Sequence, residues 1–387
     1  MSVTAAQGYV AAGVAAGVKA SGDLDLSLVA TDDGRPVVAA ATFTSNKATA
    51  APVQVSRRHL GASGGRAAAV ILNSGNANAA TGAAGIEAAE RMCAGAAHLV
   101  GCNPEHVLVC STGLIGIPLP IEVIEKALPA LAEARSSDGG EAAARAIMTT
   151  DTQPKQVVIE GDGFVVGGMA KGAAMLAPNM ATMLAVLTTD ADVDADVLQA
   201  ALRGAVAESF NKLSVDGCTS TNDTVIVLAN GRGSRPSHDA IAAALTEACQ
   251  DLAAQMAGDA EGATKVVRIT VQGAASTEDA AAGARNIADS QLTKCSWYGQ
   301  DPYWGRIASD LGSAGIEFDL DRLSVSYGGL QVCRGGVTID HDADAVREHM
   351  AGRHVDIVCD LGVGGASDWI LTNDLTHAYV DENMGTS

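Results

Sequence analysis

Thr182 follows Ala181 at the centre of GMAKGAAMLAPNMATMLAVLTTD, residues 168–190. A threonine placed after a small residue, in a tight apolar segment, can attack its own preceding peptide carbonyl. If it does, the chain splits between Ala181 and Thr182, and Thr182 becomes a new N-terminus. Its hydroxyl then has a built-in base, its own α-amine, whose ordinary pKa is about 8. A hydroxyl is a poor nucleophile alone, so such a base is a physical requirement for acyl chemistry. The same residues have a competing reading. Met180, Met183, Leu184 and Leu187 recur at helical spacing and suit an ordinary core face, with the threonine packed among them.

Strand-like runs of Val, Ile and Leu bounded by Gly, Asn or Asp are expected at Leu26–Ala30, Ala68–Leu72, His106–Cys110, Gln156–Glu160, Thr182–Leu187, Thr224–Ala229 and Val266–Val271. Ala-rich stretches with charge on one face predict helices at Gly82–Val100, Ile121–Ala134, Asp194–Phe210, Asp239–Met256 and Glu278–Asp289. The mixture gives an α+β layered protein, and the pattern alone leaves a doubly wound sheet and a sandwich both open. The polar stretch 132–142 is expected to be a flexible linker, and 320–355 to hold short strands followed by one helix. No internal repeat is visible.

The chain has 387 residues, room for two or three domains, with 3% aromatics and a formal net charge of −20. Such acidity predicts a soluble protein that repels nucleic acid and anionic membranes. No run approaches the eighteen or so apolar residues of a membrane span. The apolar start lacks a charged n-region and reads as mature protein rather than a signal peptide. Eight scattered cysteines, with no C-x-x-C spacing, read as reduced thiols in the cytoplasm. No metal is expected, since the histidines form no H-x-x-x-H or triad-like cluster. Gly362–Gly365 is a glycine-rich turn without dinucleotide-fingerprint spacing.

Several segments together resemble the ornithine acetyltransferase family, the glutamate N-acetyltransferases of arginine biosynthesis. KGAAMLAPNMATML, from Lys171 to Leu184, is similar to that family's KGxGMIxPNMATML processing site. ILNSGNANAATG, VCSTGLIGIPLP, AIMTTDTQPK, SFNKLSVDGCTSTNDT, EGATK, GQDPYWGRI and DLTHAYVDEN follow in the family's order, and the matches run from about residue 8 to residue 383. The resemblance implies a four-layer αββα sandwich with a smaller C-terminal α/β domain at roughly 265–387. It also implies self-cleavage into an α segment, 1–181, and a β segment, 182–387. Thr182 would be the nucleophile, and Thr112 and Gly113 in the STG turn the oxyanion donors. Thr152, Lys171, Thr182, Glu261, Asn383 and Ser387 would contact substrate, with Thr150 and Thr386 as alternatives to Thr152 and Ser387. Lys171 suits an amino-acid carboxylate and Glu261 an ammonium.

The implied activity is acetyl transfer from N2-acetyl-L-ornithine to L-glutamate by a ping-pong route. It needs no cofactor, although acetyl-CoA could also serve as donor. The implied assembly is a homo-oligomer of processed heterodimers. A self-cleaving aminopeptidase of the DmpA type and an unprocessed amino-acid-binding relative remain alternatives. Ala174, Cys218, Ala80 and Asn373 depart from the family pattern, as does the shortened tail that ends at Ser387.

Overall fold

The computed structural model describes residues 2–175 and 183–385, so Ala181, Thr182, Thr386 and Ser387 lie outside the described residues. Two compact units form. One is built on the chain up to Asn211 and on Thr219–Met256, the other on Lys212–Cys218 and Ala257–Gly385.

The first unit contains strands β1 (Tyr9–Val14), β2 (Leu26–Thr31), β3 (Val37–Phe43), β4 (Arg66–Ala67), β5 (Ala69–Asn76), β6 (Val107–Leu114), β7 (Lys155–Glu160), β8 (Val165–Lys171), β9 (Leu184–Thr189) and β10 (Thr224–Ala229). Its helices are α1 (Ala51–Ala62), α2 (Gly82–Val100), α3 (Ile121–Ala134), α4 (Gly140–Ala146), α5 (Ala195–Ala207) and α6, which starts at His238 and runs to Gly258. One sheet has the order β1-β2-β5-β6, the other β4-β3-β10-β9-β8-β7.

Every residue of β2, β9 and β10 is buried, as befits strands covered on both faces. Val29, Val70, Leu72 and Leu108 of the first sheet pack with Met169, Leu184, Val186 and Ile226 of the second, so one core lies between the sheets. The outward side chains of the first sheet, including Leu28, Ile71 and Val109, pack under α2 and α3. On the far side of the second sheet, Gln199 of α5 bonds the Ala41 backbone and Gln255 of α6 bonds that of Gln156. The layers therefore run helix, sheet, sheet, helix, an αββα sandwich.

Local sequence explains how the layers close up. The buried face of α2 runs through Gly85, Ala88, Ala89, Met92, Cys93, Ala96, Ala97 and Val100, a stripe of mostly small residues at i, i+3 and i+4. The helix stops at Gly101, whose φ of 83° is the left-handed conformation that a helix end favours.

The stretch 132–142 is no flexible linker. Residues up to Ala134 finish α3, Ser136 and Ala11 exchange backbone hydrogen bonds of 2.9 and 3.0 Å, and Gly140 opens α4. A Cβ at Gly139 would lie 1.9 Å from the Ala11 carbonyl oxygen, so glycine is what lets this polar segment lie against β1.

The second unit contains β11 (Val266–Ala274), β12 (Ser324–Tyr327), β13 (Leu330–Arg334), β14 (Val337–Thr338), β15 (His354–Asp360) and β16 (Ala366–Asn373) in one mixed sheet of order β14-β13-β12-β15-β11-β16. Its helices are α7 (Thr277–Ala288), α8 (Gln291–Tyr298), α9 (Trp304–Ser313), α10 (Ala343–Ala351) and α11 (His377–Glu382). The core of this unit gathers Ile269, Val271, Ile287, Trp297, Val325 and Ile357. Leu213 bridges Leu371 in parallel, which ties the short segment Lys212–Cys218 into this unit. The 320–355 region has the short strands and single helix that its pattern predicts.

Candidate active site

The chemistry-bearing residues of the first unit collect at one end of its two facing sheets. In the second sheet, Lys171 is the last residue of β8 and pairs with Leu184, while Thr224 opens β10 and also pairs with Leu184. Lys171, Met183 and Asp223 therefore stand side by side at this edge. In the first sheet, β6 continues to Leu114, so Ser111, Thr112 and Gly113 are strand residues. This differs from the turn expected there. The glycine is accommodated by an irregular register where Gly75 and Asn76 meet β6, and the ladder does not end. Gly113 has φ 131°, and a Cβ on it would lie 2.3 Å from the Gly75 carbonyl carbon. No other residue fits so close to that backbone.

Side chains link the sheets here. Lys171 Nζ donates to Thr112 Oγ1 at 3.3 Å. Asn222 Nδ2 donates to the Ser111 carbonyl at 2.9 Å and to that of Ala77 at 2.6 Å. Ser111 Oγ donates to Asn73 Oδ1 at 2.6 Å, and Asn73 Nδ2 to the Asn76 carbonyl at 2.9 Å. The NSGNAN segment thus forms the support against which Ser111–Gly113 is held.

Lys171 is 2% exposed and would be costly to bury alone. Its countercharge is Asp151, whose Oδ2 lies 3.9 Å from Nζ. Asp151 is a hub. It accepts from Lys155 Nζ at 2.6 Å, from the Gly172 amide at 2.7 Å and from the Thr149 amide at 3.1 Å. Burial alone would raise this carboxyl, but the Lys171 and Lys155 cations and the Gly172 amide outweigh it and bring it down to about 2. Thr152 and Thr150, beside this hub, are exposed.

Asp223 is the second buried carboxyl at this end. Its Oδ1 accepts the Met183 amide at 3.0 Å, while its Oδ2 is buried with no hydrogen-bond partner among the described residues. Burial pushes it well above the usual carboxylate range, against the opposing pull of the Met183 amide, the Ser220 hydroxyl and the Lys171 cation.

In the second unit, Glu261 and Asn383 meet. Asn383 Nδ2 donates to Glu261 Oε2 and to the Tyr379 carbonyl, both at 2.8 Å. The contact depends on close packing of α11. Thr376 caps that helix and donates to the Gly262 carbonyl at 2.7 Å, and a Cβ at Gly262 would lie 2.3 Å from the Tyr379 amide nitrogen. Glu261 lines a cleft with Asp216, Lys294, Asp374 and Tyr379. Burial lowers the Lys294 ammonium to about 8, although nearby Asp289, Asp216 and Asp374 favour its charge. Burial, reinforced by Asp216, pushes the Tyr379 hydroxyl up.

Among the residues singled out by sequence, Thr112, Gly113 and Lys171 gather in the first unit, and Glu261 and Asn383 in the second. Ala181, Thr182 and Ser387 fall outside the described residues. Asp151, Lys155, Asn222 and Asp223 were not singled out. Their signal was present, since charged or amide residues stand inside the MTTDTQPK and TSTNDT segments. Among the described residues, no group of three or more His, Cys, Asp or Glu is placed to hold a metal ion, and no helix is long and apolar enough to cross a membrane.

The first unit is thus an αββα sandwich whose sheets are joined at one end by buried polar side chains around a strand entrance. The chain belongs to the ArgJ family, whose model matches residues 10–385. It is 47% identical to the arginine biosynthesis bifunctional protein ArgJ of Streptomyces coelicolor, over 100% of each chain. It is 46% identical to that of Thermobifida fusca, again over 100% of each. Among solved structures it is similar to the ornithine acetyltransferase of Mycobacterium tuberculosis complexed with ornithine. That match has 45% identity and a TM-score of 0.44, over 46% of this chain and 94% of the other.

Proposed function

We propose that this chain is a self-processing glutamate N-acetyltransferase of arginine biosynthesis. Cleavage between Ala181 and Thr182 frees the Thr182 amine, which then serves as base for its own hydroxyl. Thr182 Oγ attacks the acetyl carbonyl of N2-acetyl-L-ornithine. The C–N bond breaks, ornithine leaves with the proton carried by the amine, and an acetyl ester remains on Thr182. The amine of L-glutamate attacks that ester, giving N-acetylglutamate and free Thr182.

The observation that carries this reading is the Lys171–Thr112 contact beside the strand that Met183 enters. Lys171 occupies a lone pair of the Thr112 oxygen, so the Thr112 hydroxyl hydrogen is left to donate to a developing oxyanion, with the Gly113 amide as second donor. Thr152, Lys171, Thr182, Glu261, Asn383 and Ser387 contact the substrate, Lys171 taking an amino-acid carboxylate and Glu261 an ammonium. No cofactor takes part, and acetyl-CoA could also serve as donor. The two segments stay together as a heterodimer, these assemble into a homo-oligomer, and the enzyme works in the cytoplasm.

Intact-mass measurement tests the chemistry. With N2-acetyl-L-ornithine and acid quench, the fragment that begins at Thr182 should gain one acetyl group, and L-glutamate should remove it. Ornithine release that is indifferent to glutamate would make the enzyme a hydrolase. A chain still joined at Ala181–Thr182 in fully active protein would overturn the reading. Thr182→Ala should abolish both cleavage and transfer, lowering turnover by about 10⁴-fold or more.

A further inference from the structure

The second oxyanion donor, the Gly113 amide, belongs to a residue with no side chain to anchor it. Its orientation must come from what lies against its backbone. Gly113 pairs with Gly75 of β5, and a Cβ on it would stand 2.7 Å from the Gly75 carbonyl oxygen and 2.5 Å from the Asn76 nitrogen. Gly75 is itself a glycine in the left-handed region, with φ 93°. A Cβ on Gly75 would lie 2.9 Å from Lys19 Cγ and 3.5 Å from the Lys19 nitrogen. Gly113 therefore rests on Gly75, and Gly75 rests on the stem of Lys19.

Lys19 belongs to the connection between β1 and β2, and that connection is fixed from within. Asp25, fully buried, accepts the Ala16 amide through Oδ1 at 2.6 Å, and the Gly17 and Lys19 amides through Oδ2 at 3.1 and 2.9 Å. Its own amide donates to the Val14 carbonyl at 3.0 Å. Its carbonyl accepts the amide of Ser74, the residue before Gly75, at 2.9 Å. Lys19 Nζ donates back to the Leu24 carbonyl at 2.9 Å, which holds the half-buried side chain in place. Burial lowers this ammonium, while Asp25, Asp23 and Asp151 favour its charge. Two antiparallel strands can be joined without a buried carboxylate in the connection.

We propose that Lys19, held by Asp25, is a positioning residue for acetyl transfer: its stem keeps the Gly75 backbone in place and, through it, the Gly113 amide that meets the oxyanion. The inference rests on the function proposed above, which makes that amide a donor. Lys19 acts through Gly75 and moves no proton. The methylene stem, not the ammonium, makes the contact. An oxyanion donor acts on charge that develops in the transition state, so misplacing it lowers kcat and leaves ground-state binding nearly untouched.

The test uses the full-length, self-processed protein and transfer from N2-acetyl-L-ornithine to L-glutamate. Rates are taken per acetylatable Thr182, counted by intact mass after acid quench, so that unfolded protein does not count as lost rate. Lys19→Ala removes the stem. Its kcat should fall about 10-fold, less than the loss of a whole donor, with both KM values within about twofold of wild type. Lys19→Met keeps the stem beside Gly75 and should recover most of the rate. Asp25→Asn loosens the connection and should lower kcat in the same selective way, which carries the test if Lys19→Ala does not fold. Wild-type kcat in Lys19→Ala or in folded Asp25→Asn overturns the inference. So does a loss confined to KM, or a Lys19→Met variant as slow as Lys19→Ala, because either assigns the effect to the ammonium. All of these leave the transferase reading intact. A wild-type protein that takes up no acetyl group overturns that reading and the inference with it.

Discussion

The turn around Asp151 and the entrance to β10 at Asp223 each bury a carboxyl in the same unit, and the two surroundings drive them in opposite directions. Asp151 has two ammonium groups and two backbone amides around it, and is held to about 2. Asp223 has one backbone amide and the Ser220 hydroxyl, keeps one oxygen without a hydrogen-bond partner among the described residues, and is raised. Lys171 acts on both, so the difference lies in the remaining partners. Depth of burial alone does not decide charge. What decides it is whether enough donors converge to replace the lost water. The first site is built to hold an anion that keeps two lysines buried. At the second, burial outweighs the donors and favours the protonated form.

The sharpest way to break this contrast is Asp151→Asn. Lys155 and Lys171 would then lose the Asp151 charge that each faces, which should cost about 3–5 kcal/mol of stability. Urea unfolding near neutral pH measures it, and a loss too small to resolve would mean that the lysines do not depend on Asp151. Next comes Thr112→Val, similar in shape but without the hydroxyl. Lys171 loses an acceptor and the oxyanion a donor, so kcat should drop by about 10²-fold. The carboxylate contrast itself should be little disturbed, because Asp151 keeps its own bonds.

How much of this was legible beforehand depended on whether the cause was local. Helices α2 and α3 and strand β10 have the bounds their patterns predict, because a stripe of Ala, Met and Ile on one face and a run such as TVIVLA specify themselves. Strands β1 and β3, YVAAGV and VVAAATF, were not anticipated. Alanine and glycine carry little strand preference, and these segments are strands because β2 and β10 lie beside them. The strand continuation through Ser111–Leu114 was hidden for a related reason, since glycine reads as a stop unless the partner strand supplies an irregular register.

The Lys171–Thr112 contact joins residues that in sequence only a family resemblance had linked. The two carboxyls are the clearest case. Asp151 and Asp223 are short acidic residues in polar loops, ordinarily solvated, and nothing nearby in sequence says that one will meet two lysines and the other will face one amide.

Acidification separates the two sites by sign. The folded pKa of Asp151 is depressed, so its contribution is present above the ordinary carboxylate range and is lost as pH falls through about 2. That contribution is about 2–3 kcal/mol, and Asp151→Asn should flatten this part of the acid limb of an unfolding curve. Asp223 works the other way. Its folded pKa is raised, so keeping it neutral costs nothing below the ordinary carboxylate pKa and progressively more as pH rises toward the folded value.

That cost gives the smallest effect and the most discriminating one. Asp223→Asn replaces the acid with a group that is neutral at every pH, while an amide oxygen can still take the Met183 hydrogen bond. The new amide hydrogens find no described partner at Oδ2 and offset part of the gain. At pH 7 the variant should therefore lie within about 1 kcal/mol of wild type. Its stability relative to wild type should still rise from about pH 5 to 7, following the slope that a raised carboxyl imposes. Urea unfolding at both pH values reads this directly. A relative stability that falls over that interval would mean the carboxylate is charged in the fold, the two sites would be alike, and the contrast between them would be lost.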